Sequence, residues 1–193
     1  MHEPVDTEDQ DAAAERYWPE DYKELIRERI GPAFSTQFIE QDAFKATYEK
    51  HYTNRFENYD QFVSRLAEMV TIGAENGIDE VLDEIHTSFH NEIPLPDARL
   101  PARIHWPESI DQDLKEALHQ RIFHEFRDHH AYKHIFEDHY HGEGDFDDFM
   151  HEIADRVVAG AVKGVDKTLG NIYRSFLTGK SLPPSRRYPK RLR

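Results

Sequence analysis

The chain states one pattern twice, and this constrains its fold more than any single motif. Trp18-Pro19-Glu20 returns as Trp106-Pro107-Glu108, and Ala43-Phe44-Lys45 returns as Ala131-Tyr132-Lys133. The run from Tyr48 to Tyr52 returns, with His51 and Tyr52 matched by His139 and Tyr140, and all these pairs lie 88 positions apart. After one deleted residue the echo continues at 87, through Phe62/Phe149, Val70/Val157, Gly73/Gly160, Gly77/Gly164, Leu82/Leu169 and Ile85/Ile172 to Leu95-Pro96/Leu182-Pro183. So collinear a match reads as a tandem duplication.

Five stretches follow from this reading. Residues 1–16 are an acidic arm, expected to be solvated and mobile. Residues 17–96 form the first repeat, 97–104 a linker, 105–184 the second repeat and 185–193 a basic tail.

The pattern inside each repeat is helical. Phe44, Tyr48 and Tyr52 recur every fourth position, as do Tyr132, Phe136 and Tyr140, which marks one apolar helix face and reads as core. Asn58 and Asp145 stand where N-caps are needed, and Gly179 supplies a C-terminal stop. A break is expected at Gly31-Pro32 in the first repeat, with the equivalent helix of the second running on toward Asp128. Gly73 and Gly77, like Gly160 and Gly164, are four apart. Close helix packing is expected at the first of each pair, and a kink into a last helix at the second. No stretch alternates with period two. The expected fold is all-α: a tandem duplication of a three- to four-helix unit, packed as a pseudo-twofold bundle. Trp18, Trp106, His51, His139 and the four paired glycines are the repeated structural positions.

Composition narrows the function. With 38 acidic against 24 basic residues the formal net charge is −14, which argues against a body that grips nucleic acid through a broad basic face. Cysteine is absent, so disulfides and thiolate chemistry are excluded. Met1-His2-Glu3-Pro4 opens no secretory signal, and no apolar run approaches the length of a membrane span. A cytoplasmic location without membrane association is the expectation.

Three candidate chemistries remain. Eight of the 13 histidines lie between His105 and His141. Among them His130, His134 and Asp138 share one helix face, a donor set suited to zinc or iron. Their counterparts in the first repeat are Asp42, Ala46 and Lys50, so a metal site would belong to one copy, and solvated histidines explain the cluster more simply. His51 and His139 recur in both copies, each followed by Tyr. A place at a helix C-terminus, where the dipole favours imidazolium, accounts for them without catalysis. Finally, Arg186, Arg187, Lys190, Arg191 and Arg193 make a proline-broken basic tail able to lie on phosphates, on an acidic groove or on its own acidic body.

No Gly-x-Ser-x-Gly elbow, phosphate-cradling loop or di-iron Glu-x-x-His pattern is present. The leading expectation is therefore a non-enzymatic acidic binding protein, an adaptor, inhibitor or regulator that docks a basic surface of a macromolecular partner and needs no cofactor. The alternatives are a metal-binding protein or metal-dependent enzyme using the second repeat, and a nucleic-acid-associated protein. The last would act as a DNA mimic through its acidic body or be anchored by its basic tail.

Overall fold

The computed structural model describes residues 21–100, 108–140 and 142–187, and the described residues form six α-helices with no strand. These are α1 (Asp21–Glu40), α2 (Asp42–His51), α3 (Tyr59–His90), α4 (Glu108–Arg127), α5 (His130–His139) and α6 (Phe146–Thr178). Trp18, Trp106 and the acidic arm 1–16 lie outside the described residues. Each half thus reads long, short, very long: 20, 10 and 32 residues, then 20, 10 and 33.

Three of the helix ends have a clear local cause. The Asn58 side chain accepts from the Gln61 backbone N–H and starts α3. Asp145 and Asp148 form a reciprocal capping box at α6. Gly179 ends α6 in the left-handed region, at φ 61°.

Two expectations are corrected. Helix α1 does not break at Gly31-Pro32; it carries Pro32 inside. An interior proline costs about 3 kcal/mol. Ile26, Ile30, Phe34 and Phe38 on the same helix are fully buried, each contributing about 1.5–3 kcal/mol. Packing wins, and the proline sits on the exposed side.

The second correction concerns the glycines. Neither Gly77 nor Gly164 hands one helix over to another: α3 and α6 each run unbroken through them, so each half has three helices among the described residues. All four glycines serve the approach of the two helices. A Cβ on Gly160 would lie 2.6 Å from the Gly77 carbonyl oxygen, and one on Gly73 would lie 2.8 Å from the Gly164 carbonyl oxygen. Real Cβ atoms essentially never come so near a backbone atom. Pairing 73 with 164 and 77 with 160 makes the helices antiparallel.

Around this central pair, α1 packs on α3, α4 packs on α6, and α1 meets α4, closing a ring of four helices. Leu114, Leu118, Ile122 and Phe126 of α4 are buried in one stripe, as Ile26, Ile30, Phe34 and Phe38 are on α1. The short helices close the two ends with aromatic rings. Tyr48, Tyr52 and Phe176 surround Phe62 at one end. Phe136, Tyr140 and Phe89 surround Phe149 at the other. The expectation that the aromatic stripe is core therefore holds: Phe44, Tyr52 and Tyr132 are buried, and Tyr48, Phe136 and Tyr140 pack against that core.

Two substitutions test these contacts by urea denaturation. Gly77→Ala is expected to cost about 3 kcal/mol, since the neighbour that must move is backbone rather than a flexible side chain. Pro32→Ala is expected to stabilise by about 1–3 kcal/mol, because it restores helix propensity and a hydrogen bond without removing a buried contact. A Gly77→Ala protein as stable as wild type contradicts the close crossing.

Candidate functional site

The uninterrupted course of α3 places five carboxylates along one side of its second half: Glu75, Asp79, Glu80, Asp83 and Glu84. Residues four apart stack along a helix, so Glu75, Asp79 and Asp83 form one line, with Glu80 and Glu84 beside it. After Arg65 the helix carries no lysine or arginine.

The five differ in environment. Glu75 is 2% exposed, a costly position for a charge unless it is paired. The Arg27 Nε of α1 donates to its Oε1 at 2.9 Å, and the Arg187 Nε approaches Oε2 at 3.6 Å. Lys23 of α1 reaches Asp79 at 3.5 Å. Glu80 and Glu84 are exposed, and neither they nor Asp83 make an ion pair among the described residues.

Arg187 reaches Glu75 because the chain turns back after Gly179. The Tyr52 hydroxyl donates to the Lys180 carbonyl at 2.7 Å, and Arg55 donates to the Gly179 carbonyl at 3.2 Å. The Asn76 side-chain amide donates to the Arg186 carbonyl at 2.7 Å, while Leu182 packs against the core. Burial pushes the Tyr52 phenol above its ordinary value, opposed by the neighbouring Arg55 guanidinium, so the hydroxyl stays protonated as a donor. Of the predicted basic residues, then, Arg186 and Arg187 lie along the protein's own α3. Lys190, Arg191 and Arg193 fall outside the described residues. The segment after α3 is held in a similar way, with Arg156 of α6 donating to the Pro96 carbonyl at 2.8 Å.

The histidines are dispersed. His134 Nδ1 stands 3.3 Å from an Asp138 carboxylate oxygen one turn along α5, and His130 does not complete the set. No group of three or more His, Asp or Glu among the described residues is arranged to hold a metal ion. His51 and His139 end α2 and α5, as expected of residues at helix C-termini. The His51 ring lies against Gly179: a Cβ there would come within 2.9 Å of Nδ1.

Sequence spacing did not point to His119 of α4 and His151 of α6. Their rings stack at 5.3 Å, and His119 Nε2 lies 3.1 Å from an Asp155 oxygen. Only the packing of α4 on α6 unites them. An open groove of about 620 Å³ between α1 and α4 is lined by Glu24, Leu25, Glu28 and Arg29 with Ala117, Gln120, Arg121 and His124. No helix among the described residues is long and apolar enough to cross a membrane.

Comparison with protein-family models, with curated proteins and with solved structures finds no match to this chain.

At the turn between α4 and α5, burial holds the His129 imidazole below its ordinary 6.5, and the adjacent His130 pushes the same way. Folding therefore favours neutral His129. Its contribution to stability is complete above the unfolded-state value and is lost as pH falls toward the lower folded-state value. His129→Gln is expected to flatten the loss of stability as pH falls below about 6.5 in urea titrations. A slope identical to wild type contradicts that assignment.

Proposed function

We propose that the protein is a non-enzymatic, acidic helical binding protein, acting as an adaptor, inhibitor or regulator, whose carboxylate row on α3 docks a basic surface of a protein partner. The observation that carries this reading is the row itself. Glu80, Asp83 and Glu84 follow the buried Glu75 on one continuous helix, with no lysine or arginine after Arg65 on that helix to neutralise them. A row of like charges on one face raises the local potential and speeds encounter with a partner of opposite sign.

We also propose that the body is a duplicated unit, a dimer fused into one chain. Several observations support this. α2 and α5 have bounds 88 positions apart, and the caps Asn58 and Asp145 are 87 apart. Glu92 and Gly179, also 87 apart, both take the left-handed conformation, at φ 52° and 61°. Gly73 meets Gly164 while Gly77 meets Gly160, so each contact is the image of the other under the 87-residue shift. That reciprocity is the mark of an isologous, twofold interface. In such a body the shared residues maintain architecture, and function belongs to features of one copy. The carboxylate row is such a feature: Glu80, Asp83 and Glu84 have Lys167, Gly170 and Asn171 as counterparts.

The experiment is affinity capture from the native cell with two baits, the wild-type chain and a Glu80→Lys/Glu84→Lys variant. Both side chains are exposed, so the fold is expected to persist. A stoichiometric partner held by wild type is expected to be lost from the variant and to dissociate as salt is raised. Partners captured equally by both baits contradict the assignment.

A further inference from the structure

The contact between the chain's own C-terminal arm and α3 has the form of a ligand in a binding site. We propose that the face of α3 around Glu75 and Asn76, with Tyr52 and Arg55 at its head, is a cradle for an extended, arginine-bearing segment of a partner protein. Residues 180–187 are its resident occupant in the unbound chain. This deepens the function proposed above and rests on it for the acidic character of the docking face.

The cradle holds the arm by its backbone. Arg55, Tyr52 and Asn76 donate to the carbonyls of Gly179, Lys180 and Arg186. Such bonds read the course of a chain rather than its side chains, so another extended peptide can make them. The arm is itself stretched out. Tyr52 stacks on Phe62, and Asn76 lies fourteen residues farther along α3, about 21 Å at the helical rise. The six residue steps from Lys180 to Arg186 reach about 20 Å when fully extended.

Selectivity comes from one side chain. Glu75 is a buried carboxylate to which a guanidinium can present a planar, paired set of donors. Arg27 occupies one oxygen at 2.9 Å, from within the bundle. Arg187 serves the other at 3.6 Å, outside hydrogen-bonding range, and remains 63% exposed. Within the arm the Ser185 hydroxyl is buried with no hydrogen-bond partner among the described residues, which weakens the resident further. The site is thus filled by an occupant that a better-fitting one can displace.

The comparison between halves sharpens the point. The counterpart of Glu75 is Val162, and that of Arg187 is Leu100. One half carries apolar residues at both positions, and the other carries a charge pair at both. Replacing a buried apolar residue by a charged pair seldom adds stability, whereas it does specify a partner.

A fluorescent peptide with the sequence of residues 179–193, which carries all three carbonyls that the cradle reads, is the probe, titrated against the full-length chain by anisotropy. Arg187→Ala weakens the resident arm, so the peptide is expected to bind this variant about threefold tighter than wild type. Adding Glu75→Gln is expected to reverse the gain. Glu75→Val, which reproduces the residue found in the other half, gives the same test in a background whose packing the fold already uses. Equal affinity for wild type and Arg187→Ala overturns the proposal, as does binding to Arg187→Ala that neither Glu75 substitution reduces. The lysine variants of Glu80 and Glu84 leave Glu75 intact, so loss of partner capture there and failure of the peptide here are separate outcomes.

Discussion

The rest of the structure depends on the backbone contact between α3 and α6. Two helices of 32 and 33 residues approach so closely that carbonyl oxygens occupy the space where side chains would begin. Four glycines in two long helices are costly, at about 1 kcal/mol each relative to alanine. What offsets the cost is the length of apolar surface that the approach brings together. Beyond the crossing, Leu66, Val70, Ile78, Leu82 and Ile85 of α3 and Ile153, Val157, Val165, Leu169 and Ile172 of α6 are all buried. The crossing also fixes which residues meet at the ends: Phe62 reaches Phe176, and Phe89 reaches Phe149, each pair at 5.9 Å.

From the crossing outward the remaining elements have little freedom. Helices α1 and α4 each lie on one of the central helices, and the short helices α2 and α5 carry tyrosine and phenylalanine over the ends. The chain must then pass from one half to the other. The segments after α3 and after α6 therefore lie along the partner helix, held through carbonyls at Pro96 and Arg186. Arg187 reaches Glu75 after Gly179 has turned the chain and the arm has run back along α3.

Much of this was legible in the residues. The fourfold aromatic spacing, Asn58, Asp145 and Gly179 are local signals, and local physics decides them. Close packing at Gly73 and Gly160 was read correctly, but Pro32 and the second glycine of each pair were misread because their outcome depends on partners distant in sequence. A proline signals a break only until four buried side chains on the same helix outweigh it. Two glycines four apart signal a bend or a close neighbour, and only the antiparallel partner decides between them. Glu75 was illegible for another reason. In a helix so rich in acid, one more glutamate reads as solvated surface, and its burial is set by α1 and by an arm more than 100 residues away. The histidine contact across α4 and α6 likewise has no signature in spacing.

In the duplicated body proposed above, a charge at one of two equivalent positions is informative. Where both halves hold apolar or small residues, the fold alone accounts for them. Val162 shows that the position equivalent to Glu75 can be filled by an ordinary core residue. A carboxylate there must be matched by cations to be tolerated: Arg27 of α1 serves one oxygen, and the other is left to an arginine from outside the bundle. That requirement is what turns a folding position into a recognition position: the same burial that makes an unpaired Glu75 costly makes a well-seated arginine worth binding.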